Sequence, residues 1–195
     1  MGLPEKKQQK KQRYTYADYR SWNDNERWEL IAGVSYAMFP APSPVHQRIS
    51  GRLHRQFANF LDGKPCEVFY APLNVRLNGL GDDDYDVFQP DLVIIYDQTK
   101  IDDKGCNGAP DMVIEILSPA TARRDKLLKF NKYQHAGVRE YWIVDADSRT
   151  VQVHILENGR YFTTCYGEAD KIAVHVLEGC EISLSSVFID RRKYR

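Results

Sequence analysis

The stretch Asp111-Met-Val-Ile-Glu-Ile-Leu-Ser-Pro119 decides the fold. Met112, Val113, Ile114, Ile116 and Leu117 make a near-continuous apolar run, which marks a strand covered on both faces rather than one with a wet side. Glu115 interrupts that run. A carboxylate in such surroundings carries a heavy desolvation cost, so Glu115 needs a cation, a hydrogen-bond donor or an exposed strand end.

Working outward, Pro119 ends the strand, Thr121 is placed to cap a helix over 122 to about 135, and Gly137 is placed to close it. Glu140-Tyr-Trp-Ile-Val-Asp145 is a further apolar strand, and Pro90-Asp91 opens another over 92–96. Upstream, Ile49, Leu53, Phe57 and Phe60/Leu61 recur at helical spacing over 45–61, with Ser43 and Pro44 as cap and first residue. Residues 28–38 read as two short strands turning at Ala32-Gly33, Thr15 caps a short opening helix, and 67–70 and 73–77 read as strands. The segments 151–156, 161–166 and 172–176 alternate like an antiparallel meander with a turn at Asn158-Gly159. The order predicts an α/β fold: a mixed sheet flanked by helices, with an additional antiparallel C-terminal β meander. Residues 1–13 are expected to be a disordered basic tail, 14–190 a single domain and 191–195 a basic C-terminal tail.

Composition confines the function. With 43% hydrophobic residues over 195 positions, the chain suits one globular core. No apolar run approaches the ~20 residues that cross a bilayer. The basic start MGLPEKKQQKKQR lacks the apolar segment of a secretory signal, so a cytoplasmic protein without a membrane partner is expected. Cys66, Cys106, Cys165 and Cys180 are scattered and read as free, packing thiols. Lys+Arg and Asp+Glu both number 27, and zero net charge counts against strong nonspecific nucleic-acid binding. No glycine-rich loop opens a helix, which removes the dinucleotide and P-loop folds. The loop Asn78-Gly-Leu-Gly-Asp-Asp-Asp-Tyr-Asp86 lacks the spacing and terminal glutamate of an EF-hand and reads as solvated.

Asp91, Glu115 and Lys129 carry the chemistry. Neighbouring strands lie ~4.8 Å apart, so carboxylates at matching depths can share one hard cation. Lys129 stands four residues before Tyr133 and borders the helix face that Phe130 and Tyr133 turn to the sheet. Lys126, one turn earlier, is its reserve, and Asp125 is spaced for an ion pair with Lys129. Glu29 either completes the site from the N-terminal hairpin or pairs with Arg27 or the helix lysines. His46 could touch a phosphate or water. Tyr133 either bonds the site or packs with a polar tip.

Pro90-Asp91, Glu115-Ile-Leu117, Asp125, Lys129, Tyr133 and Ala136-Gly-Val-Arg-Glu-Tyr-Trp-Ile-Val-Asp145 together resemble the Uma-type restriction endonuclease family of the PD-(D/E)xK nuclease superfamily. Trp28-Glu-Leu-Ile-Ala-Gly33 and Pro42-Ser-Pro-Val-His-Gln47 are similar to its N-terminal pattern. The resemblance implies a restriction-endonuclease-like fold and an endonuclease hydrolysing DNA phosphodiesters with Mg²⁺, Mn²⁺ substituting. It implies Asp91, Glu115 and the Ile116 carbonyl as metal ligands and Lys129 as the catalytic lysine, with Glu29 and His46 as further site candidates. Leu117 occupies the strand position where the wider superfamily carries its lysine, and Lys129 on the following helix takes over. Arg123 and Arg124, with Lys6, Lys7 and Arg191-Arg-Lys-Tyr-Arg195, are candidates for the DNA backbone. A homodimer through the C-terminal meander would suit duplex cutting. The alternative is a catalytically silent module of the same fold that binds DNA or a protein partner.

Overall fold

The computed structural model describes residues 13–23, 26–38, 41–119 and 122–189. Thr121 and both basic tails, apart from Arg13, lie outside them. Among the described residues no helix is long and apolar enough to cross a membrane.

The chain opens with helix α1 (Tyr16–Ser21), where the Thr15 hydroxyl accepts from the Asp18 amide and the Asp18 carboxylate accepts from the Thr15 amide. Strands β1 (Trp28–Ile31) and β2 (Val34–Ala37) follow, then helix α2 (Pro44–Leu61). Ser43 caps α2 by accepting from the His46 amide, Pro44 stands in its first turn, and Ile49, Leu53, Phe57 and Leu61 form its buried stripe. Next come β3 (Glu67–Tyr70), β4 (Val75–Arg76), β5 (Val87–Phe88), β6 (Leu92–Ile95), β7 (Ile101–Asp102), β8 (Gly105–Asn107) and β9 (Met112–Ile116). A π-helical stretch (Arg124–Lys129) runs into α3 (Phe130–Ala136), which Gly137 closes at φ +84°. The chain ends with β10 (Glu140–Asp145), β11 (Thr150–Glu157), β12 (Arg160–Gly167), β13 (Lys171–Ala173), β14 (Glu181–Ser183) and the short α4 (Leu184–Val187).

These strands form two six-stranded sheets rather than one: β12-β11-β10-β9-β6-β3 in the centre and β2-β1-β5-β4-β8-β7 beside it. The second sheet draws strands β7 and β8 from the loop after β6, whose pairs are too short to show a periodicity. Within the central sheet β9 runs parallel to β10 and antiparallel to β6. The parallel pair is joined by the helical crossover that such pairs require. Strands β11 and β12 turn at Asn158-Gly159 as expected and extend the central sheet. The third segment of the expected meander leaves it: β13 pairs with β14 in a small sheet of its own.

Alternation along the central strands separates two cores. Leu92, Ile94, Met112, Ile114, Ile116, Trp142 and Val144 pack towards α2 and the C-terminal segment. Val93, Ile95, Val113, Tyr141 and Ile143 pack towards α3 and the second sheet, meeting Tyr133, Phe88, Val75 and Leu77. Strand β9 is buried at every position, as its apolar run requires, and period two places Glu115 on the face of Val113, towards α3.

The loop 78–86 corrects the expectation of a solvated segment. Asp84 and Asp86 are buried. Asp84 accepts from the Asn78 amide, the Asn78 side chain and the Asp86 amide at 2.7–2.9 Å. Asp86 accepts from the Ala32 amide at 2.6 Å and from Lys132 at 2.7 Å, fixing the β1–β2 turn where Ala32 and Gly33 adopt positive φ. Gly33 is required there, since a Cβ would meet Arg13 at 2.8 Å.

Candidate active site

Antiparallel pairing fixes the two carboxylates. Leu92 pairs with Ile114 and Val93 with Val113, and the same register carried one residue further sets Asp91 opposite Glu115. The Ile116 amide donates to Asp91 Oδ2 at 2.8 Å, which ties Asp91 to the end of β9. His46, in the first turn of α2, places Nε2 3.1 Å from the same oxygen. Burial works against a charged His46, but the hydrogen bond and charge of Asp91, with the backbone of Ile116, prevail and raise its pKa above the ordinary value.

On the other side of the strand end, Glu115 meets the helix. Lys129 Nζ donates to Glu115 Oε1 at 2.9 Å and to Glu29 Oε1 at 2.7 Å, and lies 3.4 Å from Asp125 Oδ1. The Tyr133 hydroxyl donates to the same Glu115 oxygen at 2.9 Å. Lys129 is 2% exposed and Glu115 4%. The π turn contributes to this grouping. The Phe130 amide donates to the Asp125 carbonyl five residues back, and of the six residues in the turn Asp125 and Lys129 are the buried pair while Leu127 and Leu128 face outward.

The electrostatics follow from the counts. Glu29, Glu115 and Asp125 gather around one buried ammonium, and Asp91 adds its charge beside Glu115. Burial would lower the Lys129 pKa, but Glu115, Glu29 and Asp125 outweigh it and hold it well above its ordinary value, so Lys129 stays protonated. Burial drives the Glu115 pKa well up. Lys129 pulls it back, and Asp125, Asp91 and Glu29 push it further up, so the site binds a proton more readily than an isolated carboxylate does. Burial and the Glu115 charge likewise keep the Tyr133 phenol protonated as a donor.

Structure thus brings together Asp91, Glu115, Lys129, Glu29 and His46. Lys126 is exposed and belongs to no part of this cluster. Glu29 pairs with Lys129 and not with Arg27, whose Nε instead donates to Gln89 Oε1 at 2.7 Å. Arg123 is exposed, whereas Arg124 lies over the Tyr36 ring with Nη1 3.9 Å from Glu29. One residue escaped the sequence reading: the Gln89 amide donates to Glu29 Oε1 at 3.1 Å, and its buried side chain donates to Asn74 and to the Tyr19 hydroxyl. Its position beside Pro90-Asp91 was the available signal.

Donor chemistry fits a small hard cation. Asp91 and Glu115 offer carboxylate oxygens and Ile116 a carbonyl, ligands that Mg²⁺ takes while keeping several positions for water and phosphate. Among the described residues, no three His, Cys, Asp or Glu side chains form a preassembled metal cage.

A model of the family described as "Uma2: Putative restriction endonuclease" matches residues 15–185. The "Uncharacterized protein slr1290" of Synechocystis is 28% identical over 159 residues, 80% of this chain and 81% of that one. A crystal structure of "a putative nuclease belonging to DUF820" from Anabaena variabilis shares the fold, with a TM-score of 0.71 and 19% identity over 89% of this chain and 97% of that chain. The family match spans the strands, the π turn and the C-terminal segment alike, and the chain belongs to the Uma2 family.

Proposed function

We propose that this protein is a metal-dependent DNA endonuclease. The observation that carries the reading is the register of β6 and β9, which sets Asp91 opposite Glu115 at one strand end with a buried, protonated Lys129 on the second carboxylate. Asp91, Glu115 and the Ile116 carbonyl would hold Mg²⁺. The ion would lower the pKa of a bound water and offset charge on the scissile phosphate.

The remaining work falls to the chain's own side chains. Lys129 keeps its proton, so it serves as a hydrogen-bond donor to the attacking water or to the oxygens that gain charge, and not as a base. Glu29 holds the ammonium together with Glu115, and the Gln89 amide holds Glu29. Tyr133 fixes the Glu115 carboxylate. His46 steadies Asp91 and offers a second donor near the phosphate. β12 is an edge of the central sheet and carries the exposed Phe162, a surface on which a second copy would pair for duplex cutting.

The test is cleavage of plasmid and linear DNA with Mg²⁺ or Mn²⁺. Wild type is expected to cut and to stop on chelation, while Asp91→Ala, Glu115→Gln and Lys129→Ala lose about two to three orders of magnitude in rate. Equal, metal-independent activity in these variants would contradict the assignment of the site, and no cutting by wild type would favour a silent binding module.

A further inference from the structure

Helix α2 carries Arg48, Arg52 and Arg55 with His46 and His54 and has no acidic residue over its 18 positions. Arg52 is tied to the carbonyls of Val187 and Ile189, but Arg48 and Arg55 are exposed, two turns apart on the side facing away from the buried stripe. In a chain of zero net charge this is a local basic face, and it begins at the candidate active site. Beside it lies a cleft of about 300 Å³ whose walls include His46, Gln47, Gly51, His54, Tyr70 and Asp91.

Two features give the cleft a chemical character. Tyr70, at the end of β3, is 62% exposed and stands edge-on to His54, with ring centroids 4.9 Å apart at 85°. Between them and Gln47 the wall is left open at Gly51, where an added Cβ would meet nothing within 4 Å. An exposed tyrosine ring, amide and imidazole groups and a neighbouring basic stripe are the elements of a stacking platform for a base whose backbone follows the arginines. In a duplex both faces of each base are covered by its neighbours, so an aromatic platform in a cleft takes a base out of the stack.

We infer that the cleft between α2 and the end of β3 holds an unpaired nucleotide next to the scissile phosphate, and that the substrate is DNA with a single-stranded or unpaired segment at the cut. This deepens the nuclease reading and rests on it. Tyr70 supplies the stacking face, Gln47 and His54 meet the base edge, and Arg48 and Arg55 follow the strand.

The probes are a fluorescent single strand, its blunt duplex, and that duplex with a short unpaired bubble. Binding is read by anisotropy in EDTA and cutting in Mg²⁺, on wild type, Tyr70→Ala and Gly51→Leu. Gly51→Leu fills the cleft while replacing a glycine inside a helix, so its melting temperature is expected to equal or exceed that of wild type. Wild type should bind and cut the single strand and the bubble at least tenfold better than the blunt duplex. Both variants should lose about tenfold in binding to the unpaired substrates, the worth of a stacked base. A blunt duplex cut as well as the bubble, or variants that bind the bubble like wild type, would overturn the inference and leave the nuclease reading standing. Tyr70-dependent binding of the bubble without any cutting would support the cleft and overturn catalysis. No binding of any probe would overturn both.

Discussion

Among the described residues, two buried acidic clusters are built in opposite ways. Around Asp84 and Asp86, each carboxylate meets donors that match it: the Asn78, Asp86 and Ala32 amides, the Asn78 side chain and Lys132. That cluster pins a loop to the β1–β2 turn. Around Lys129, three carboxylates converge on one ammonium, with Asp91 close behind Glu115. A structural acid is matched by backbone donors that cannot leave. Crowded acids, with burial and its acidic neighbours raising the Glu115 pKa, are the arrangement that the proposed cation site draws on.

The largest effect that would sharpen this contrast comes from Lys129→Ala, which leaves buried carboxylates uncompensated. A loss of about 3–5 kcal/mol is expected in urea unfolding of the metal-free protein, partly recovered by adding Glu115→Gln. Asp84→Ala should cost about 2 kcal/mol, the penalty of orphaned buried donors, and leave the DNA cleavage rate within twofold of wild type. If Asp84→Ala abolished cleavage while the protein stayed folded, the division into structural and functional acids would fail.

His154 gives a pH-dependent comparison away from both clusters. It is enclosed by Phe130, Tyr141 and Tyr161, and burial depresses its pKa to about 4. The fold favours the neutral ring, so the unfolded chain takes up the proton first. Its contribution is complete above the ordinary histidine range and is lost as pH falls from about 6.5 towards 4, an effect on the order of 2 kcal/mol. His154→Gln should remove that part of the slope in melts between pH 7 and 4. The smallest effect belongs to the exposed Lys126: Lys126→Ala should stay within about 0.5 kcal/mol of wild type and keep full activity.

Much of this arrangement was legible in the residues. The apolar run around Glu115, the periodic stripe of α2, the Ser43 and Thr15 caps and the turns at Ala32-Gly33 and Asn158-Gly159 are local signals, and the structure reproduces each. The Asp125–Lys129 pair was readable from its spacing. The second sheet as a whole was not, although 28–38 and 73–77 read as strands: β5, β7 and β8 hold two or three residues apiece, and the pairings of β5 with β1 and of β4 with β8 join segments far apart along the chain. The π turn was equally hidden, since Arg124–Lys129 has the composition of an ordinary helix and its widening is visible only in the bonding of Phe130. Gln89 went unseen because its main contact with the site is a backbone amide, which any residue type except proline supplies. The burial of Asp84 and Asp86 rests on Asn78 within the same loop and on the Ala32 amide and Lys132 arriving from elsewhere.

Calorimetric titration of Mn²⁺ and Mg²⁺ tests the central claim most directly, with wild type, Asp91→Ala, Glu115→Gln and the Asp84→Ala control measured across a range of pH. Saturable binding to wild type and to Asp84→Ala is expected. It should be absent from Asp91→Ala and Glu115→Gln and should strengthen as pH rises, because a cation binds the ionised carboxylate and burial raises the Glu115 pKa. Binding that survives both site substitutions, or none to wild type even with DNA present, would contradict the assignment of Asp91 and Glu115 to a common metal centre.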